Sequence, residues 1–159
     1  MPKTDAEWRA LDEKLAREVM GWHKWDELPE NAHRAYWQAI KEEPDEYSLA
    51  HNEQQWWSLD ESGCPDGEKW LSDWQPHEDV AQALMALDAL VDKHPDIRYW
   101  LAYKPLGRPD PSYWCTLWQP YCELYGHSHD GSGAIPAKAI CLAIRQWMDA
   151  QKEAEDDPG

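Results

Sequence analysis

Alternation of apolar and polar positions is sharpest between Ile97 and Trp118. Ile97, Tyr99, Leu101 and Tyr103 alternate with Arg98, Trp100, Ala102 and Lys104, and Tyr113, Cys115 and Leu117 alternate with Trp114, Thr116 and Trp118. A period of two puts successive side chains on opposite faces of a strand. Both faces of both runs are largely apolar or aromatic, which predicts a sheet covered on both sides. The intervening KPLGRPDP (Lys104 to Pro111) holds three prolines and a glycine, so it reads as a turn joining antiparallel neighbours. After Gln119-Pro120, Tyr121 to Tyr125 predicts a shorter third strand or a bulged continuation, and Gly126 to Gly133 a flexible polar loop.

Helical periodicity flanks these strands. Pro136 suits a first helical position, and Ile140, Ala143, Ile144, Trp147 and Met148 form one apolar stripe behind it. Trp8, Leu11, Leu15 and Val19 make a similar stripe over Asp5 to Gly21, with Thr4 or Asp5 as cap and Gly21 as stop. Val80, Ala83, Leu84, Leu87, Leu90 and Val91 mark a third helix over Glu78 to Lys93, and Asn31 to Glu42 reads as a short fourth. Trp22 to Leu28 can begin a strand. Ser48 to Ser72 is polar and irregular, with Trp56-Trp57 as a short strand and Cys64-Pro65-Asp66-Gly67 as a turn. An extended Trp56-Trp57 points its two indoles to opposite faces, which leaves at least one exposed. Strands grouped between helices predict an α+β class: a single domain over residues 1–150, an antiparallel sheet with helices on both faces, and a disordered acidic tail over residues 151–159.

Composition sharpens this picture in three ways. The 159 residues can bury a core without disulfides, and Cys64, Cys115, Cys122 and Cys141 show no C-x-x-C spacing, so they read as reduced thiols. Twelve tryptophans with no phenylalanine exceed what a core asks for and suggest a flat aromatic surface for a ligand or partner. The net charge of −16 is uneven: −14 over residues 1–96, +2 over residues 97–148 and −4 beyond. Such an acidic chain disfavours binding duplex nucleic acid, whose affinity comes mostly from phosphate neutralisation. The mildly cationic aromatic hairpin is the best place for a small anion. No apolar run approaches membrane-spanning length and no signal-peptide core occurs, which points to a cytoplasmic protein.

Catalytic motifs are lacking. No phosphate-binding glycine loop, G-x-S-x-G or H-E-x-x-H occurs, so no enzyme activity and no cofactor are expected. His127-x-His129-Asp130, with Cys122 nearby, has metal-like spacing, but glycines surround it and a second ligand pair is missing; a polar loop is the better reading, and no metal is expected. Ser132 beside His129 and Asp130 does not make a catalytic relay, because adjacent loop residues cannot form the required hydrogen-bond chain. His77-Glu78-Asp79 reads as helix capping. The ligand candidates are Arg98, Trp100, Lys104, Arg108, Trp114 and Trp118 on the hairpin, completed by His127, His129 and Lys138 near a helix N-terminus. Core packing under a helix is the competing explanation for the same tryptophans.

LDEKLAREVMGW (Leu11 to Trp22), W-x-P-x-x-D-V-A-x-A-L (Trp74 to Leu84), the strand carrying YWC and the closing PAKAICLAI resemble the phage ABA sandwich domain family, small proteins of tailed phages and prophages. The resemblance covers about residues 9–25 and 70–148; residues 26–69 are longer and more acidic than the family pattern and form a variable, Trp-containing insertion. It implies helices on both faces of an antiparallel sheet and brings no catalytic motif. It implies a phage protein acting in the host cytoplasm, for which context makes counter-defence the expectation: binding and sequestering a nucleotide-derived immune signal without catalysis, a reading the cationic aromatic hairpin supports. The abundance of tryptophan separately predicts a homo-oligomer. The alternative is an acidic inhibitor that mimics nucleic acid and binds a host defence protein directly, through acids such as Glu42, Glu43, Asp45 and Glu46.

Overall fold

The computed structural model describes residues 2–40, 46–103, 113–119, 128–133 and 135–156. In chain order these form α1 (Asp5–Lys14), β1 (His23–Lys24), α2 (Glu30–Ile40), α3 (Glu46–Asn52), β2 (Gln55–Leu59), β3 (Pro65–Trp70), α4 (Val80–Lys93), β4 (Arg98–Tyr103), β5 (Tyr113–Trp118), β6 (Ser128–Gly133) and α5 (Pro136–Asp156). The class is α+β. Its strands form two antiparallel three-stranded sheets, β1-β2-β3 and β4-β5-β6. The chain divides into two compact units, Met1–Leu15 with Gln75–Gly159, and Ala16–Trp74.

In the first unit, helix starts are set by side chains that satisfy open backbone N–H groups. Thr4 Oγ1 accepts from Glu7 N at 3.2 Å, and Asp79 Oδ1 accepts from Ala81 N and Gln82 N at 2.9 and 3.3 Å. The capping expected of the His77-Glu78-Asp79 segment therefore falls to Asp79. Asp79→Ala is expected to cost about 1 kcal/mol in a denaturant melt, the usual value of an N-cap. The stripe of α5 is buried at Ile140, Ala143, Ile144 and Trp147, and this helix packs against β5 and β6 with α4 beside it. Cys115 and Leu117 of β5 are fully buried. Burial pushes the Cys141 thiol well up, with Asp12 and Cys115 adding to it, so this thiol stays protonated and inert.

Two expectations for this unit are corrected. Residues 128–133 form a strand, β6, where a flexible loop is expected, because pairing with β5 closes their backbone groups. Helix α5 continues to Asp156, so residues 151–156 are not a disordered tail; Gln151, Lys152, Glu153 and Ala154 are all good helix formers. The expected strand at residues 121–125 lies outside the described residues.

In the second unit the described residues of the expected irregular insertion, 26–40 and 46–69, form ordered elements. The β2–β3 turn sits earlier than Cys64–Gly67: Asp60 Oδ1 accepts from Ser62 N and Cys64 N, both at 2.9 Å, and Gly63 takes φ 86°. Only glycine adopts that backbone without strain. Pro65 is thereby the first residue of β3 rather than part of a turn. Trp56 and Trp57 are both buried, at 1% and 3% exposure, against the expectation that one would be exposed. A register irregularity separates them, and each face has its own cover. Trp57 packs with Trp25, Leu28, Ala32, Tyr36 and Trp37, while Trp56 lies under Arg17 and Lys24, 5.5 and 5.9 Å from its ring centroid. Glu27 holds Arg17 in place, accepting from Nε at 3.0 Å and Nη2 at 2.8 Å.

Candidate ligand-binding face

Register decides which hairpin side chains meet. Strand β4 pairs with β5 so that Arg98 lies opposite Trp118, Trp100 opposite Thr116 and Ala102 opposite Trp114. Directly paired residues of antiparallel strands share a face, so Arg98, Trp100, Trp114 and Trp118 come together as the sequence analysis requires. The opposite face carries Cys115 and Leu117, buried toward α5. The tryptophan face is open: Trp100 is 67% exposed, Arg98 is exposed, and Trp114, Thr116 and Trp118 are half-buried. Core burial under a helix therefore does not account for these tryptophans. Seven of the twelve tryptophans are core residues, and the hairpin holds three of the remaining five.

Arg98 is anchored at the start of the strand, its Nη1 donating to Pro95 O at 3.1 Å and Ile97 O at 3.4 Å. These bonds hold Nη1 against the backbone at the start of β4, on an exposed residue whose register partner is Trp118. A planar aromatic ring can stack on such a surface, while a guanidinium at its rim meets an anionic group in a charge-assisted bond. Strand β6 brings Asp130 to the register position opposite Thr116. Three indoles beside one arginine suit a ligand held mainly by stacking, with one anionic contact.

Three other candidates, Lys104, Arg108 and His127, lie outside the described residues. His129 pairs with Leu117, in the register row of the α5-facing positions rather than the row of Trp114 and Trp118. Lys138 does not complete the hairpin pocket either. It sits in the first turn of α5 with Nζ 5.2 Å from the Trp8 ring centroid, because the indole of α1 offers a cation–π partner there.

Lys138 in fact caps a column that sequence reasoning missed. Trp8 stacks on His77, with ring centroids 5.4 Å apart and planes 14° from parallel. Behind them, Asp12 Oδ2 lies 2.6 Å from His77 Nδ1 and Asp12 Oδ1 accepts from His77 N at 3.2 Å. Asp12 is 2% exposed and His77 6%. Burial pushes the Asp12 carboxyl up from an ordinary 3.8 to about 6, against the opposing pull of His77 and Arg9. Nε2 of His77 lies 3.5 Å from Glu78 Oε1, and Asp5, Arg9, Gln75, His77 and Glu78 line a cavity of about 250 Å³. The available signal was Asp12 itself, an acid inside the apolar stripe of α1. Among the described residues no cluster of three His, Cys, Asp or Glu side chains can hold a metal ion, and no helix is long and apolar enough to cross a membrane. No family model, no curated protein and no solved structure matches the chain.

Proposed function

We propose that the β4–β5 face binds a small nucleotide-like molecule, its base stacked on Trp100, Trp114 and Trp118 and an anionic group met by Arg98. The observation that carries this reading is the register, which gathers three tryptophans and an arginine on one open face. Stacking on an aromatic side chain contributes about 1–3 kcal/mol per base, enough for useful affinity when more than one ring takes part. The role we propose is capture rather than turnover, since the sequence carries no phosphate-binding glycine loop, G-x-S-x-G or H-E-x-x-H. With the resemblance to small phage proteins as context, the natural ligand we propose is a nucleotide-derived immune signal of a bacterial host, sequestered in the host cytoplasm as counter-defence.

Thermal unfolding against a panel of cyclic dinucleotides, cyclic mononucleotides and ADP-ribose derivatives tests it. A ligand at about a hundred times its dissociation constant stabilises the native state by about 2.7 kcal/mol, a midpoint shift of several degrees. The shift is expected with one compound class and is expected to vanish in Trp114→Ala and Arg98→Ala. A flat panel removes the proposal for these compounds and turns attention to a host protein held by the acidic surface.

A further inference from the structure

Strand β4 is an edge of its sheet, with β5 its strand neighbour among the described residues. Its middle exposes three consecutive large apolar side chains, Tyr99 at 45%, Trp100 at 67% and Leu101 at 41%. These alternate across the sheet, so both faces of the edge are apolar and open. Edge strands are normally blunted by lysine, proline, a bulge or an inward charge; Tyr99 to Ala102 carries none of these, and its pairing with β5 is unbroken. A helix or loop laid on one face would cover Trp100 or the pair Tyr99 and Leu101, not both. An added strand covers both faces at once and closes the backbone groups of the edge.

We infer that a second copy of this chain supplies that strand, β4 pairing antiparallel with β4 about a two-fold axis at Trp100. This register sets Trp100 against Trp100, Tyr99 against Leu101 and Arg98 against Ala102, so every pair shares a face. The charge of Arg98 meets an uncharged partner, and aromatic and aliphatic residues meet each other, which are favourable cross-strand pairings. The contact is isologous and self-limiting: one pairing uses up the edge on both copies and yields a closed dimer with a six-stranded sheet. The tryptophan face then runs unbroken across the two-fold. The dimer stands on the edge alone and does not depend on the ligand reading. Each copy carries a net charge of −16, so long-range repulsion opposes association and added salt is expected to tighten it.

Light scattering on the full-length chain, across concentration and salt, gives the test. The wild type is expected at twice its 18.6 kDa chain mass, more completely at higher salt. The double variant Tyr99→Lys with Leu101→Lys sets like charges opposite each other across the two-fold and is expected at the single-chain mass, with unchanged circular dichroism because both side chains are exposed. Tyr99→Lys with Leu101→Glu sets base against acid in the same register and is expected to restore the dimer. A wild type that stays at single-chain mass, or a dimer indifferent to the two lysines, overturns the proposal; failure of the Lys/Glu variant to dimerise overturns the register. Tyr99 and Leu101 lie on the α5 side of the sheet, so nucleotide binding by these variants is read separately and reports on the ligand proposal alone.

Discussion

Asp12→Ala is expected to lower the unfolding free energy by about 3–5 kcal/mol, seen in a urea melt as an earlier midpoint at unchanged slope. The alanine leaves His77 N and Nδ1 buried without the carboxylate that both now face, at 3.2 and 2.6 Å. It also releases the tie between α1 and the segment that leads into α4, two elements 65 positions apart in the chain. The same residue sets a pH dependence. Its folded-state pKa, about 6, is raised above the ordinary 3.8. Folding therefore favours the protonated carboxyl. The corresponding stability is complete below about pH 3.8 and is lost as pH rises through about 6, a change on the order of 3 kcal/mol. Arg9, His77 and Glu78 surround the same point, and Lys138 reaches it through Trp8, so the wild-type curve alone does not isolate Asp12. The difference between wild type and Asp12→Asn does. Melts at intervals from pH 4 to pH 7 are expected to show the wild type losing stability relative to the amide variant as pH rises; parallel curves contradict the assignment.

Trp57→Ala is the second large expected effect, about 3–5 kcal/mol, the usual cost of removing a buried tryptophan. Trp57 is 3% exposed, its ring centroid lies 5.2 Å from that of Trp25 and 5.3 Å from that of Tyr36, and its Nε1 donates to Asn52 O at 2.8 Å. Truncation opens a cavity in the second unit and strips that carbonyl of its donor. Trp100→Ala offers the contrast. At 67% exposure its removal is expected to change stability by no more than about 0.5 kcal/mol. A large loss for Trp100→Ala would mean that the hairpin face is core after all.

Much of the fold was legible because periodicity reports burial directly. The stripes that marked α1 and α5 bury the residues they named. That of α4 buries Ala83, Leu87 and Leu90, leaves Leu84 and Val91 half-buried and exposes Val80 at the first turn. The alternation over Ile97 to Trp118 gave both hairpin strands. Residues 46–74 were hard to read for a physical reason. Trp56 and Trp57 are adjacent and both buried, and the cations Arg17 and Lys24 lie over the Trp56 ring. A polar neighbourhood in sequence thus concealed a packed one in space. The strand β6 was hidden similarly: SHDGSG has no apolar alternation, and its pairing is set by β5. Of the candidate site, parity placed Arg98 with Trp100 and Trp114 with Trp118, and the register between β4 and β5, which parity leaves open, put the two pairs on one face. The Asp12–His77 pair did not, since nothing local links residues so far apart. Lys138 was misplaced because its position at a helix start was visible and its indole partner was not.

The most direct test of the tryptophan face is the indole N–H spectrum of the ¹⁵N-labelled protein, with its twelve tryptophan signals assigned by single substitution. On titration with the panel compound that raises the melting midpoint most, shifts are expected at Trp100, Trp114 and Trp118, with Trp57 and Trp147 unmoved in the cores. Shifts confined to Trp8, beside the His77 cavity, or no indole shift at saturating ligand, would contradict binding at the β4–β5 face.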